Sequence, residues 1–196
     1  MAGRCTSSQK LVVPRRATRI PSGMGETLRK RLLQSRFESE HHEAMLSLLV
    51  AASAIREALD RVCGEHAITR GQYNVLRILH ANPTGFSRGE IARRLVERSP
   101  DVTRLIDRLE QRGLIERRES EQDRRLSLAR ITRQGQELLE EMEPDVQAVE
   151  ARLASLLSAD EAAELTRLCE RIFARDGDRT PEHSLEVSGG GAGDGA

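Results

Sequence analysis

The stretch SPDVTRLIDRLEQRGLIERRESEQDRRLSLARIT, residues 99–132, changes its hydrophobic period midway, and that change decides the fold. In the first half, Val102, Leu105, Ile106 and Leu109 recur at i, i+3, i+4 and i+7, one buried stripe of an α-helix. The opposite face carries Pro100, Thr103, Arg104, Asp107, Arg108 and Gln111. Ser99 reads as an N-cap with Pro100 at the first helical position, giving a helix over residues 100–112 that stops at Gly113. Beyond the glycine, GLIERRE and RLSLARIT read as the two strands of a hairpin. Their tip, Ser120-Glu121-Gln122-Asp123-Arg124-Arg125, has no glycine, although tight hairpins favour Asn-Gly or Asp-Gly. Arginines at such a tip have nothing to bury them, so they point to an external partner.

Working back from that helix, Ser87-Arg88-Gly89-Glu90 is a capping box that opens a shorter helix carrying Ile91, Ala92 and Leu95. Only Glu97-Arg98-Ser99 separates the two helices. A helix pair joined by so tight a turn is a helix-turn-helix, whose second helix can lie in the DNA major groove with its N-terminal residues on the bases. The hairpin that follows is then a wing whose tip reaches the minor groove, where a narrow channel concentrates negative potential and favours arginine. This places Ser99, Pro100, Asp101, Thr103, Arg104, Asp107 and Arg108 of the helix on DNA, with Asp123, Arg124 and Arg125 of the wing, residues 120–126. Arg104 suits a bidentate contact to guanine, and Thr103 a thymine methyl or a phosphate. Asp123 would orient Arg125, and Asp107 would pair with Arg104 or Arg108 and aim it.

The rest of the chain is punctuated by caps. A first long helix is expected over residues 40–63, with Ala44, Leu48, Ala51, Ile55, Leu59 and Val62 on one face and Gly64 as its stop. Thr69-Arg70-Gly71-Gln72 is a capping box for a helix whose Tyr73, Leu76 and Leu79 face inward, ended by NPTGF. Thr132 caps a long helix over residues 133–157 with a bend at Pro144, and Ser158-Ala159-Asp160-Glu161 opens a last helix to residue 174. The expected order is four helices, a hairpin and two helices, a mostly α fold with a winged helix-turn-helix core. Leu165, Leu168 and Ile172 line one stripe of the last helix, beside Ala162 and Cys169. Long terminal helices around so small a core leave such stripes open unless a second copy covers them, so a homodimer is expected. The expected organisation is a basic flexible arm at residues 1–35, one domain over 36–176 and a Gly-rich tail at 177–196. The core spans about 69–132, and the dimerisation helices about 40–63 and 133–175. Met24 offers a second place for translation to begin.

Composition supports this reading. Phe37, Tyr73, Phe86 and Phe173 are the only aromatics in 196 residues, so the core must come from aliphatic side chains at helical spacing. The net charge of zero hides an uneven distribution. Residues 1–36 hold nine Lys or Arg against one Glu, and residues 87–133 hold thirteen against nine acids, whereas residues 134–196 hold five against fifteen. One face thus suits an anionic partner. Cys5, Cys63 and Cys169 form no disulfide pattern, and no apolar run reaches about 18 residues, so a reduced, cytoplasmic setting without a membrane is expected. The sequence has no G-x-S-x-G, P-loop, G-x-G-x-x-G or H-E-x-x-H, and enzymatic activity is not expected. Cys63, Glu65 and His66, with His41 and His42, lack a second ligand pair at metal spacing, so neither metal nor cofactor is expected.

The motif LVERSPDVTRLIDRLEQRGLIERRESEQDRRLSLARITRQG, residues 95–135, resembles the winged-helix core of the multiple-antibiotic-resistance regulator (MarR) family. The resemblance rests on VTRLIDRLEQRGLIER, then Asp123 and Arg125 in an Asp-x-Arg pattern, then Ile131-Thr132 before Arg133-Gln134-Gly135, where leucine is more usual than Ile131. AITRGQYNVLRIL is similar to the family's second helix, and the likeness covers roughly residues 40–175. It implies a homodimeric transcription factor, dimerised through its first and last two helices. It also implies repression of an operator relieved by a small phenolic or anionic effector, or by oxidation. Peroxide-sensing relatives hold a cysteine near the start of the first helix beside tyrosines. Cys63 stands at the far end here, with Tyr73 the only tyrosine, and the tryptophan of urate sensors is missing. Two other classes remain as alternatives. A non-specific architectural DNA binder is favoured by the basic arm, and a protein–protein adaptor by Asp101 and Asp107 on the would-be DNA face.

Overall fold

The computed structural model describes residues 25–97, 101–119 and 127–174. It divides into two compact units, residues 1–52 and 53–196, with the boundary inside one long helix. The first unit holds α1 (Glu26–Leu32) and the opening half of α2 (Glu40–Glu65). Helix α1 lies within the segment expected as a flexible arm. It has one buried residue, Leu28, and its N-cap is Gly25 at φ 77°, with no side-chain cap bond. That is why no Ser, Thr, Asp or Asn start signal announced it.

In the second unit, α2 is followed by α3 (Arg70–His80), β1 (Phe86–Ser87), α4 (Arg88–Arg94) and α5 (Val102–Gln111). The hairpin strands β2 (Ile115–Glu119) and β3 (Ser127–Ile131) come next, then α6 (Arg133–Ala154) and α7 (Ala159–Phe173). The sheet has three strands, not the two expected. β1 pairs antiparallel with β3, Phe86 opposite Ala129, while β2 pairs on the other side of β3, Ile115 opposite Ile131. A two-residue strand carries no periodicity, so only its partner reveals it.

The helix starts follow local chemistry. All three expected capping boxes form, at Thr69 with Gln72, Ser87 with Glu90, and Ser158 with Glu161. Each satisfies backbone donors that a helix N-terminus leaves unpaired. Helix α6 runs unbroken through Pro144 and ends at Ala154, three residues short of the expected bound.

Two helix ends share one device. After α5, Gly113 adopts φ 70°, its N–H donates to Glu110 O at 2.8 Å, and Leu114 N–H donates to Leu109 O at 3.0 Å. This is the Schellman arrangement, closed by two buried leucines. Helix α2 ends in the same way, but not at Gly64. Ala67 takes the left-handed position at φ 55°, with Ala67 N–H donating to Gly64 O at 3.0 Å and Ile68 N–H to Cys63 O at 2.9 Å. A non-glycine residue there costs roughly 1–2 kcal/mol. Burial of Cys63 and Ile68 at the closure, 2% and 5% exposed, offsets part of that cost.

The core of the second unit gathers Leu79 of α3, Ile91 of α4, Leu109 of α5, Ile115 of β2 and Met142 of α6, all almost fully buried. Each such side chain contributes roughly 1.5–3 kcal/mol relative to exposure. At Gly135 an added Cβ would collide with the carbonyl of Leu114, so the start of α6 needs glycine to lie against the chain entering β2. Helix α7 has no buried residue at all. Within the described residues, no helix is long and apolar enough to cross a membrane.

Candidate nucleic-acid interface

The candidate interface is built on α4, the connection after it, α5 and the β2–β3 hairpin. Helix α5 turns Val102, Ile106 and Leu109 into the core, with Leu105 partly buried. The expected outward face follows, with Thr103, Arg104, Arg108 and Gln111 exposed and Asp107 partly so. The Arg104 side chain is 68% exposed. Arg108 makes no ion pair with any described residue, so a solvated cation stands on the same face as Thr103 and Arg104.

The start of α5 differs from expectation. Asp101 is the N-cap, its carboxylate accepting from Arg104 N–H at 3.1 Å, and the helix begins at Val102. Asp101 also reaches the Arg104 guanidinium at 3.5 Å. Its charge serves the helix end and steadies Arg104. Ser99 and Pro100 lie outside the described residues, as do Asp123, Arg124 and Arg125 of the wing tip.

Asp107 does not pair with Arg104 or Arg108 as expected. Its partner is Arg117 of β2, which also reaches Glu110 at 3.0 Å. One guanidinium thus bridges two acids a turn apart on α5 and fixes the hairpin to the helix. Sequence spacing gave no hint of it, because ten residues and a change of element separate the partners. Arg88 was also missed. It opens α4, and its guanidinium donates to Thr103 Oγ1 at 3.1 Å, adding a further cation beside the outward face of α5. Its position immediately after the Ser87 N-cap was the available signal.

Other side chains are accounted for without chemistry. His66, weighed as a metal ligand, has Nε2 3.1 Å from Asp145 Oδ2 on α6. Burial pushes the Cys63 thiol up, with Asp60 adding to the effect, so the reactive thiolate is disfavoured. The Glu90 carboxyl is drawn up by burial, but hydrogen bonds from Ser87 and the nearby Arg94 and Arg93 outweigh that and hold it below its usual range.

Comparison with known proteins identifies this architecture. The MarR family model matches residues 68–127, from just after α2 to the first residue of β3. The crystal structure of a MarR transcription factor from Planctomyces limnophilus is 37% identical, with 69% of this chain and 98% of that one covered at a TM-score of 0.53. The transcriptional repressor CouR bound to a 23-mer DNA duplex is 32% identical, covering 65% of this chain and 90% of its own, at a TM-score of 0.58. The PcaV transcriptional regulator from Streptomyces coelicolor, in complex with its natural ligand, is 25% identical over 64% of this chain and 91% of its own, at 0.55. A mostly helical chain with a three-stranded antiparallel sheet, an exposed cationic helix face and these relatives belongs to the MarR family of DNA-binding transcription regulators.

Proposed function

We propose that the protein is a homodimeric repressor that reads a pseudo-palindromic operator with α5 and the wing, and releases it on binding a small-molecule effector. The observation that carries this reading is the outward face of α5, where Thr103, Arg104 and Arg108 stand exposed while Arg117 neutralises the intervening Asp107. Arg104 supplies base readout, Arg108 and Arg88 contact phosphates, and Arg124 and Arg125 enter the minor groove. Dimerisation is supported by α7, whose Leu165, Leu168 and Ile172 are 43%, 41% and 60% exposed in the single chain. In the relatives, CouR is a repressor seen on DNA and PcaV is seen with a ligand. The same two events are assigned here, with the effector's chemistry open.

Site selection from a randomised duplex pool tests the reading. Arg104→Ala should relax preference at one or two positions in each half-site, whereas loss of a phosphate contact lowers affinity evenly across sequences. An unaltered motif would confine Arg104 to the backbone and remove α5 as the reader.

A further inference from the structure

Arg70 opens α3, and two carboxylates from different elements hold its guanidinium. Nε donates to Asp60 Oδ1 on α2 at 2.9 Å, and a terminal nitrogen donates to Glu97 Oε1 at 2.8 Å. Glu97 lies in the connection from α4 to α5, and it also sits 3.7 Å from Arg56, one turn before Asp60 on α2. The hydrogen bond from Arg70 holds the Glu97 carboxyl below its usual range. One cation therefore ties the long helix to the segment that introduces α5.

The geometry has two features of a clamp. Arg70 is the covered member, its side chain 25% exposed against 54% for Asp60 and 52% for Glu97. It uses two edges of a planar fork, which a lysine's single ammonium cannot reproduce. The connection also needs an anchor. Leu95 is the last core residue before it, at 9% exposure, and Val96 is 76% exposed. Of the two described residues between Leu95 and the Asp101 cap, Val96 and Glu97, it is Glu97 that is held by its side chain.

We propose that Arg70 is a positioning residue for operator recognition: by clamping Glu97 to α2 it sets where the chain enters α5 and so how α5 meets the bases. The proposal rests on α5 being the DNA-reading helix. It makes a prediction opposite in sign to simple electrostatics. Removing the Glu97 charge beside a polyanion should by itself tighten binding to any duplex. If the clamp sets the geometry, the same change weakens binding to the selected site.

The test compares the parent protein with Glu97→Ala, Arg70→Gln, Asp60→Asn and Arg104→Ala, each with a melting curve. Two duplexes are used, the one the parent selects from a randomised pool and a scrambled version of it. Glu97→Ala and Arg70→Gln should weaken binding to the selected duplex about five- to tenfold, the size of one weakened base contact, while scrambled-duplex affinity does not fall. A Glu97→Ala protein that binds the selected duplex as tightly as the parent, or more tightly, overturns the proposal. So does an Arg70→Gln protein that loses both duplexes by the same factor, which would make Arg70 a phosphate contact. If Arg70→Gln is unfolded at the assay temperature, Glu97→Ala and Asp60→Asn carry the same comparison, and parental behaviour in either overturns it. Failure of the α5 reading is seen separately, as an Arg104→Ala protein that selects an unchanged site.

Discussion

Arg117 on β2 bonds Asp107 on α5, and its other terminal nitrogen lies 3.0 Å from Glu110 one turn further along. The pair joins the helix proposed to read bases to the hairpin proposed to carry the wing. It also cancels an acidic charge on the face proposed to meet DNA. All three side chains are more than a third exposed, so their direct worth to folding is small, roughly 1 kcal/mol or less. The larger consequence is expected in binding. Arg117→Ala should leave the fold intact in denaturant titrations yet weaken duplex binding about tenfold, because two carboxylates lose their partner. Adding Asp107→Asn to that variant should restore part of the loss. No recovery in the double variant would mean that Arg117 itself touches DNA.

The wing tip gives a second expectation. Arg125→Ala should cost roughly 1–3 kcal/mol of operator binding without altering the melting temperature, since it removes a minor-groove contact and no core atom. Arg124→Ala should cost less and reduce the salt dependence, as a phosphate contact does. Anisotropy titrations over a range of salt separate the two. Parental affinity in both variants would take the hairpin off the DNA.

Helix α7 offers a third. Truncation after Leu157 removes the open stripe of Leu165, Leu168 and Ile172. The shortened protein should sediment as a monomer, or aggregate through what remains exposed, and lose specific binding. Two half-sites about 10 bp apart require two recognition helices held by one dimer. Sedimentation and a gel shift on the same sample examine both parts. A truncated protein that still dimerises and still binds the palindrome would place the interface on other helices.

A fourth concerns pH. The carboxyls of Glu90 and Glu97 are held below their ordinary value, Glu90 by Ser87 against the opposing effect of burial, and Glu97 chiefly by Arg70. A carboxyl lowered in the folded state binds protons more weakly there than in the unfolded chain. Its contribution is therefore present above about pH 4.3 and is lost as pH falls through the folded value. Glu90→Gln should destabilise the protein at neutral pH and by less at acid pH, as the parent carboxyl takes up its own proton. Urea titrations at the two pH values measure the difference. An equal effect at both would make the loss one of packing and not of charge.

The helix starts and the outward face of α5 were legible in the chain because their causes are local. A capping box needs four consecutive residues, and Thr69, Ser87 and Ser158 each carry theirs within that span. The outward set of Thr103, Arg104 and Arg108 follows from helical period alone once Val102, Ile106 and Leu109 are assigned inward. Gly113 marked the end of α5 because it takes the backbone angle that glycine favours. At the end of α2 the same logic chose Gly64. The tertiary structure put the left-handed turn on Ala67, because burying Cys63 and Ile68 fixes the geometry there.

By itself, then, the sequence determined which segments from α2 onward become helices, where most of them begin, and which face of α5 points outward. These depend on contacts within a turn or two of chain. Only the tertiary structure decided that Phe86 and Ser87 form a strand, since a strand exists through its neighbour, here Leu128 and Ala129. It alone decided that Asp107 answers to Arg117, and that Arg70 gathers Asp60 and Glu97. Charges find partners through space, and along the chain those partners stand up to 27 residues apart, beyond any local pattern.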